Sequence, residues 1–273
     1  MTAIKSDTKR VFLKKGSCSQ TFFYLLNREF GYLKENEEHA SDPLAGGIVQ
    51  EGYQCGMLWG AALAVGAESF RRHQEHGQAV AHAITATQYI LASFINRIKS
   101  ANCSVITSCD FTSKFGLAKY LITGKPITCF NLADKWASEA IQSAKAGLSQ
   151  QPTDLPRVPI SCASEVAKKM GASDEEMIMV AGFAGGFGLS GNACGALSAA
   201  IWMNTLARVR EQNYKYALSD PVLDKIMTTF FEETDYKIEC WKICGKRFKT
   251  ISDHSEFIKD GGCEKLINAL AQS

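Results

Sequence analysis

Two cysteines in matching surroundings are the residues best placed for chemistry. Cys55 lies in AGGIVQEGYQCG (residues 45–56) and Cys194 in AGGFGLSGNACG (residues 184–195), segments that align without a gap and share Ala, Gly, Gly, a later Gly, Cys and Gly. Each precedes a stretch of helical character, which puts the thiol in a predicted first turn, where unpaired N–H groups and the helix dipole favour negative charge. A thiol there is expected to lose its proton readily, and thiolate is the form that binds metals and attacks disulfides. Cys55 and Cys194 are therefore the candidate redox thiols. The shared glycines, Gly46, Gly47, Gly52 and Gly56 in one segment and Gly185, Gly186, Gly191 and Gly195 in the other, are candidates for backbone brought against a cofactor.

The second segment also contains Gly186-x-Gly188-x-x-Gly191, the spacing that cradles a pyrophosphate, with an acidic residue, Glu211, about 20 positions on. Val49 stands where Gly188 would fall in the first segment, and Glu211 falls in the predicted helix rather than at the end of a second strand. A dinucleotide enzyme is thus a rival reading that one copy alone supports.

The remaining cysteines extend the match. They fall as Cys18, Cys55, Cys103, Cys109 and Cys129, then Cys162, Cys194, Cys240, Cys244 and Cys263, with an offset drifting from 144 at the first pair to 134 at the last. A slow, one-directional drift is what loop deletions after a duplication leave. No C-x-x-C occurs, which excludes thioredoxin-like, rubredoxin-like and zinc-ribbon sites. Any site must gather cysteines from distant segments. Cys240 and Cys244 share one face if their segment is helical.

Helices are the elements predicted to do the gathering. The first copy offers CSQTFFYLLNREFGYL, QCGMLWGAALAVGAESFRRHQEH, AHAITATQYILASFINRI and FNLADKWASEAIQSA; the second offers CASEVAKKM, DEEMIMVAGFA, NACGALSAAIWMNTLARVREQ, PVLDKIMTTFFEET and CEKLINALAQ. Ser161 and Asn192 read as N-caps, and Ser173 with Glu176 as a capping box. MIMVAG, residues 177–182, is the one ambiguous run, short enough for a buried strand. The small residues after each Cys signal close helix packing or a backbone near a ligand. Pro152, Pro156 and Pro159 mark a linker. The expected fold is all-α: two similar multi-helix units from an internal duplication, residues 11–146 and 156–273, packed as a pseudo-dimer.

Composition narrows the partners. A chain of 273 residues with 46% apolar side chains furnishes a substantial core, and a formal charge of +2 gives no field that favours nucleic acid. The basic N-terminal stretch, with Lys5, Lys9, Arg10, Lys14 and Lys15, lacks the apolar region of a secretory signal, and no apolar run approaches the roughly 18 residues of a membrane span. No membrane insertion and a cytoplasmic location are expected. In a reducing compartment ten cysteines read as metal ligands, redox thiols or buried apolar residues rather than disulfides. His73, His76 and His82 read as solvated polar residues without a counterpart in the second copy, and the four tryptophans as core.

Cys194-Gly195-Ala196, preceded by GFAGGFG and flanked by Cys162, Cys240 and Cys263, resembles the redox-active family named for its C, GCAxxG, C, C cysteine pattern. The resemblance covers nearly the whole chain as two units. It implies Cys18, Cys55, Cys103 and Cys129 as the ligand set of the first unit and Cys162, Cys194, Cys240 and Cys263 as that of the second, with Cys109 and Cys244 as extras. Met57 replaces the Ala of the pattern in the first unit, and Ala199 its last Gly in the second. The family is similar here to the cluster-bearing part of split-Soret cytochromes, which implies an iron–sulfur cluster and electron transfer to a redox partner protein, with a homo-oligomer as a further expectation. Metal-free dithiol/disulfide chemistry, structural zinc and a noncatalytic helical scaffold stay open beside it.

Overall fold

The computed structural model describes residues 7–153, 155–156, 158–217 and 219–273. Lys5 of the basic stretch and Asp154 and Arg157 of the linker lie outside the described residues. The first repeat is preceded by α1 (Thr8–Lys15) and consists of α2 (Cys18–Phe30), α3 (Glu35–Ala40), a 3-10 turn at Asp42–Leu44, α4 (Gly56–Arg72), α5 (His76–Ile98), α6 (Cys103–Thr107), α7 (Lys114–Ile122) and α8 (Lys125–Ser149). The second consists of α9 (Cys162–Lys169), α10 (Asp174–Met179), a 3-10 turn at Ala181–Phe183, α11 (Gly195–Arg210), α12 (Pro221–Glu233), α13 (Cys240–Ile243), α14 (Ile251–Lys259) and α15 (Glu264–Ala271). The two lists agree element for element, and among the described residues isolated bridges take the place of strands.

Local chemistry accounts for several helix ends. Ser173 and Glu176 form the expected capping box at the start of α10, which absorbs MIMVAG into helix and 3-10 turn. Ser161 accepts from Ser164 N at 3.4 Å, and Asp220 from Val222 N at 3.0 Å beside Pro221. Two boundaries differ from expectation. Cys194, not Asn192, caps α11. The stretch read as helix from Gln54 through His76 ends at Arg72, because the Glu75 carboxylate accepts from Gly77 N at 2.9 Å and Gln78 N at 2.7 Å and starts α5 there.

The repeats pack reciprocally. Helix α4 of the first lies against α10 of the second, and α11 of the second against α3 of the first, inside one apolar core that spans both. Trp59 is fully buried with its ring edge-on to Phe183 and Phe187 of the other repeat, centroids 4.7 and 4.8 Å away. Trp202 donates to the Glu37 carbonyl at 3.2 Å. Around this core run Lys34–Glu175 at 2.8 Å and Arg210 with Glu37 at 3.0 Å and Glu176 at 2.5 Å. Such part-exposed pairs contribute about 0–1 kcal/mol each, so the apolar packing holds the repeats together.

Gly66 sits where α4 crosses α10, and a Cβ on it would lie 2.5 Å from the Ile178 carbonyl oxygen and Met179 Cα. Close packing therefore accounts for this small residue. Gly66→Ala gains about 1 kcal/mol of helix propensity, but its methyl meets backbone that cannot turn aside, an overpacking that costs roughly 1–3 kcal/mol. Urea unfolding should show a net loss of stability, with both repeats melting in one transition.

His254 on α14 is buried, with Nδ1 3.2 Å from the Ile160 carbonyl oxygen. Burial pushes its pKa down from 6.5 to about 4. The unfolded chain takes up this proton near pH 6.5 and the folded chain only near pH 4, so stability falls as pH drops through that window, by on the order of 3 kcal/mol. Urea midpoints measured across pH 7 to 4 should show the loss, and His254→Gln should reduce it, with buried His82 contributing in the same window.

Candidate functional site

A left-handed turn opens each site. Gly46, Gly47, Ile48, Val49 and Gln50 have φ of 67, 84, 66, 47 and 63°, and Gly185, Gly186, Phe187, Gly188 and Leu189 have 58, 75, 72, 59 and 64°. Outside glycine such a conformation costs roughly 1–2 kcal/mol per residue. It is closed in the same register in both repeats, by Gly52 N to Gly46 O and Tyr53 N to Gly47 O at 3.0 Å, and by Gly191 N to Gly185 O at 2.9 Å and Asn192 N to Gly186 O at 3.1 Å. Buried Ile48 and Phe187 side chains anchor it. The Gly-x-Gly-x-x-Gly spacing is thus part of this turn, not of a strand–turn–helix unit, and Glu211 is the C-cap of α11. Glycine is demanded at the matching positions 47 and 186, where a Cβ would lie 2.4 Å from Tyr53 N and 2.5 Å from Asn192 O.

Past the turn, a short antiparallel bridge fixes two cysteines at diagonal positions, each next to a paired residue. Gln54 pairs with Asn102, with Cys55 N donating to Ala101 O at 2.8 Å and Cys103 N to Tyr53 O at 2.6 Å. Ala193 pairs with Glu239, with Cys194 N donating to Ile238 O at 2.9 Å and Cys240 N to Asn192 O at 2.7 Å. Six of the eight implied ligands then sit at helix starts shared by the two repeats. Cys18 and Cys162 are the first residues of α2 and α9, Cys55 and Cys194 cap α4 and α11, and Cys103 and Cys240 begin α6 and α13. Cys263 caps α15 with φ of 61°, whereas Cys129 lies within α8.

Cys18, Cys55, Cys103 and Cys129 line one cavity; Cys162, Cys194, Cys240, Cys244 and Cys263 line another. Cys240 and Cys244 sulfurs are 3.8 Å apart, Cys244 and Cys263 3.6 Å. Among the described residues no three His, Cys, Asp or Glu side chains are drawn in to the spacing of a metal-ion shell. The glycines take up several places. Gly46 and Gly185 point their N–H groups at the Cys18 and Cys162 sulfurs, and Gly56 leaves room for the Cys18 sulfur, which a Cβ would approach to 2.6 Å. A Cβ on Gly195 would meet Phe183, and Gly47, Gly52 and Gly191 supply positive φ.

Burial reverses the expected charge state of the central thiols. Cys55 is held well above the usual thiol range by its contact with Cys18 and by burial, and Cys194 is pushed up to about 12 by burial despite N–H groups of Leu197 and Ala196 directed at it. Desolvation outweighs the helix terminus. The thiol that is lowered is Cys18, through its contact with Cys55 and the N–H groups of Gly46, Cys18 and Ser19. Burial raises Cys103 and Cys162 as well, and takes Cys129 to about 11 although Tyr120 Oη donates to its sulfur at 3.5 Å.

The extra cysteines are not equivalents. Cys244 follows Cys240 by one helical turn, a place that Thr107 holds after Cys103, donating to the Cys103 carbonyl at 2.7 Å. Cys109 lies beyond α6, its thiol 3.4 Å from the Thr107 carbonyl oxygen. Tyr120 had no sequence signal. Phe111 and Phe248, both cavity residues, are separated by the same 137 positions as Cys103 and Cys240, a signal that was legible. Of the histidines read as solvated, His76 is exposed, whereas the other two are a correction: His73 and His82 stack at 3.9 Å, and burial pushes His82 down to about 4.

Alkylation of the reduced, metal-free protein at pH 8 should modify Cys18 on the order of tenfold or more faster than Cys194. Peptide mass spectrometry after timed iodoacetamide exposure measures this, and the Cys18 rate should rise with a midpoint below 9.

No helix among the described residues is long and apolar enough to cross a membrane. No curated protein and no solved structure matches the chain. The sequence profile of the family described as "Putative redox-active protein (C_GCAxxG_C_C)" matches twice, over residues 17–141 and 160–273, the two ranges that carry the paired turns, bridges and cysteines. The chain is a duplicated member of the C_GCAxxG_C_C family of redox-active proteins.

Proposed function

We propose that each repeat holds a metal centre on four thiolates and that the protein transfers electrons. Cys18, Cys55, Cys103 and Cys129 would hold the first, and Cys162, Cys194, Cys240 and Cys263 the second. The observation that carries this reading is that cysteines from four separate segments line one cavity in each repeat, four in the first and the same four places plus Cys244 in the second, most of them at helix starts. The donor set fits an iron–sulfur cluster: sulfur ligands only, with backbone N–H groups of Gly46 and Gly185 already turned toward sulfur. Buried thiols that stay protonated alone give up their protons to a cation that replaces the lost solvation. When bound, such a cluster supplies one-electron transfer.

What the chain itself supplies is a seat fixed by backbone hydrogen bonds. The bridge fixes the register of Cys55 with Cys103 and of Cys194 with Cys240, and the left-handed turn brings amide hydrogen to the first cysteine of each set. A redox protein would be the partner, and a reducing cytoplasm suits ten free cysteines. Self-association of the chain belongs to the same proposal. A second reading, metal-free dithiol/disulfide exchange, is favoured by the Cys18–Cys55 contact and by Cys244 lying 3.8 and 3.6 Å from Cys240 and Cys263.

Anaerobic purification followed by iron, sulfide and zinc analysis separates the two. Iron and sulfide with visible absorption are expected, and Cys55→Ser and Cys194→Ser should each remove about half of both, through loss of one thiolate of a four-ligand set. Metal-free protein with a Cys18–Cys55 disulfide in its peptide map would replace this reading with the second.

A further inference from the structure

The two cysteine sites differ in the space beside them. The first adjoins a cavity of about 570 Å³, whereas the second has about 10 Å³, near the limit for a single water. Small-molecule sites run from about 300 to 1,000 Å³, so the first is of ligand size. The cause lies in two differences between the repeats. In the second, Phe248 and Ile258 fold over the site and are buried, while their counterparts leave the first site open: Phe111 is half-buried in the cavity wall and Leu121 is 62% exposed. Further, the connection between α4 and α5 is residues 73–75, whereas that between α11 and α12 is residues 211–220. The long connection carries Tyr214, Tyr216 and Ala217 across to wall the cavity of the first repeat.

The wall specifies a ligand class. Phe12, Phe111, Tyr120, Tyr214 and Tyr216 line it. Its acidic side chains are Asp42, which accepts from Gln20 Nε2 at 3.0 Å and Tyr214 Oη at 2.9 Å, and Asp220, paired with Arg208 at 2.7 Å. Lys15, the lysine in the wall, is engaged by Glu38 at 2.5 Å. Among the described residues a phosphate or carboxylate would face two carboxylates, with the lysine of the wall already paired and the exposed His39 set edge-on to the Tyr214 ring, centroids 5.3 Å apart, while aromatic faces on several sides suit a flat ring.

We propose that the cavity beside Cys18 and Cys55 binds an uncharged, flat aromatic molecule, and that the second-repeat site is closed to small molecules. The first site is then the one at which the protein meets a small redox molecule; that role rests on the redox reading above, whereas the ligand class rests on the wall alone.

The matched pair lumiflavin and flavin mononucleotide tests it, since both carry the same ring and only one carries a phosphate. Fluorescence titration of the full chain, once as purified anaerobically and once metal-free and reduced, should show saturable lumiflavin binding with flavin mononucleotide at least about tenfold weaker. Ala217→Trp, at an exposed position on the cavity mouth, should weaken lumiflavin by about tenfold or more with an unchanged melting midpoint, and Tyr216→Ala should weaken it as well. Absence of lumiflavin binding, equal binding of the two flavins, or unaltered binding by both folded variants would overturn the inference. Metal analysis of the same samples keeps the tests apart: lumiflavin bound to protein that never holds metal sinks the four-thiolate centre and leaves the cavity, and metal without lumiflavin does the reverse.

Discussion

The short antiparallel bridge on which Cys55 and Cys103 sit, and its copy under Cys194 and Cys240, is where two chain segments with no sequence proximity are forced into register. Its backbone bonds, at 2.6 to 2.9 Å, are buried and contribute about 1 kcal/mol each, but an unmade one would cost more than a made one gains. The rest of the local structure serves that pairing. The left-handed turn reverses the chain tightly enough to deliver residues 53–55 to residues 101–103, and α4 and α11 leave at once, so the sulfur falls at a helix start. Ile48 and Val49 adopt an unfavourable conformation for β-branched residues, and burial of Ile48 offsets part of that strain.

Much of this could be read from the chain. Ala-Gly-Gly and Gly-x-x-Cys-Gly recur because positive φ and close backbone contact leave few alternatives, and helix caps such as Ser173 with Glu176 act through neighbours in sequence. The left-handed course of Ile48, Val49, Phe187 and Leu189 was not legible, because nothing local asks those residues to adopt it; the closing bonds and the buried side chains do. Equally hidden was the protonation of Cys55 and Cys194. A helix start is a local property, whereas desolvation is imposed by everything packed around it. Cys109 and Cys244 align by order of appearance but not in space, since order ignores where insertions fall.

Asymmetry between the sites has a similar origin. Helices that match in order differ in length, α5 being 23 residues and α12 13, and the connection before each is short where the other is long. Where the second repeat has the shorter helix, its longer connection is the segment that reaches over the opposite repeat. The reciprocal contacts, α4 with α10 and α11 with α3, lie outside the segments that differ, and α5 adds its own packing against α10 and the 3-10 turn at Ala181–Phe183 of the other repeat.

A covalent tether between the halves has an evolutionary reach beyond holding them together. In a dimer of identical chains every substitution is made twice, so a change that opens one pocket opens its mate and removes packing from both. With residues 150–159 joining the halves, each accumulates changes alone, and one can stay tightly filled and carry the stability while the other is hollowed out. The Pro-marked linker is thereby what permits the two sulfur sites of one molecule to become different tools.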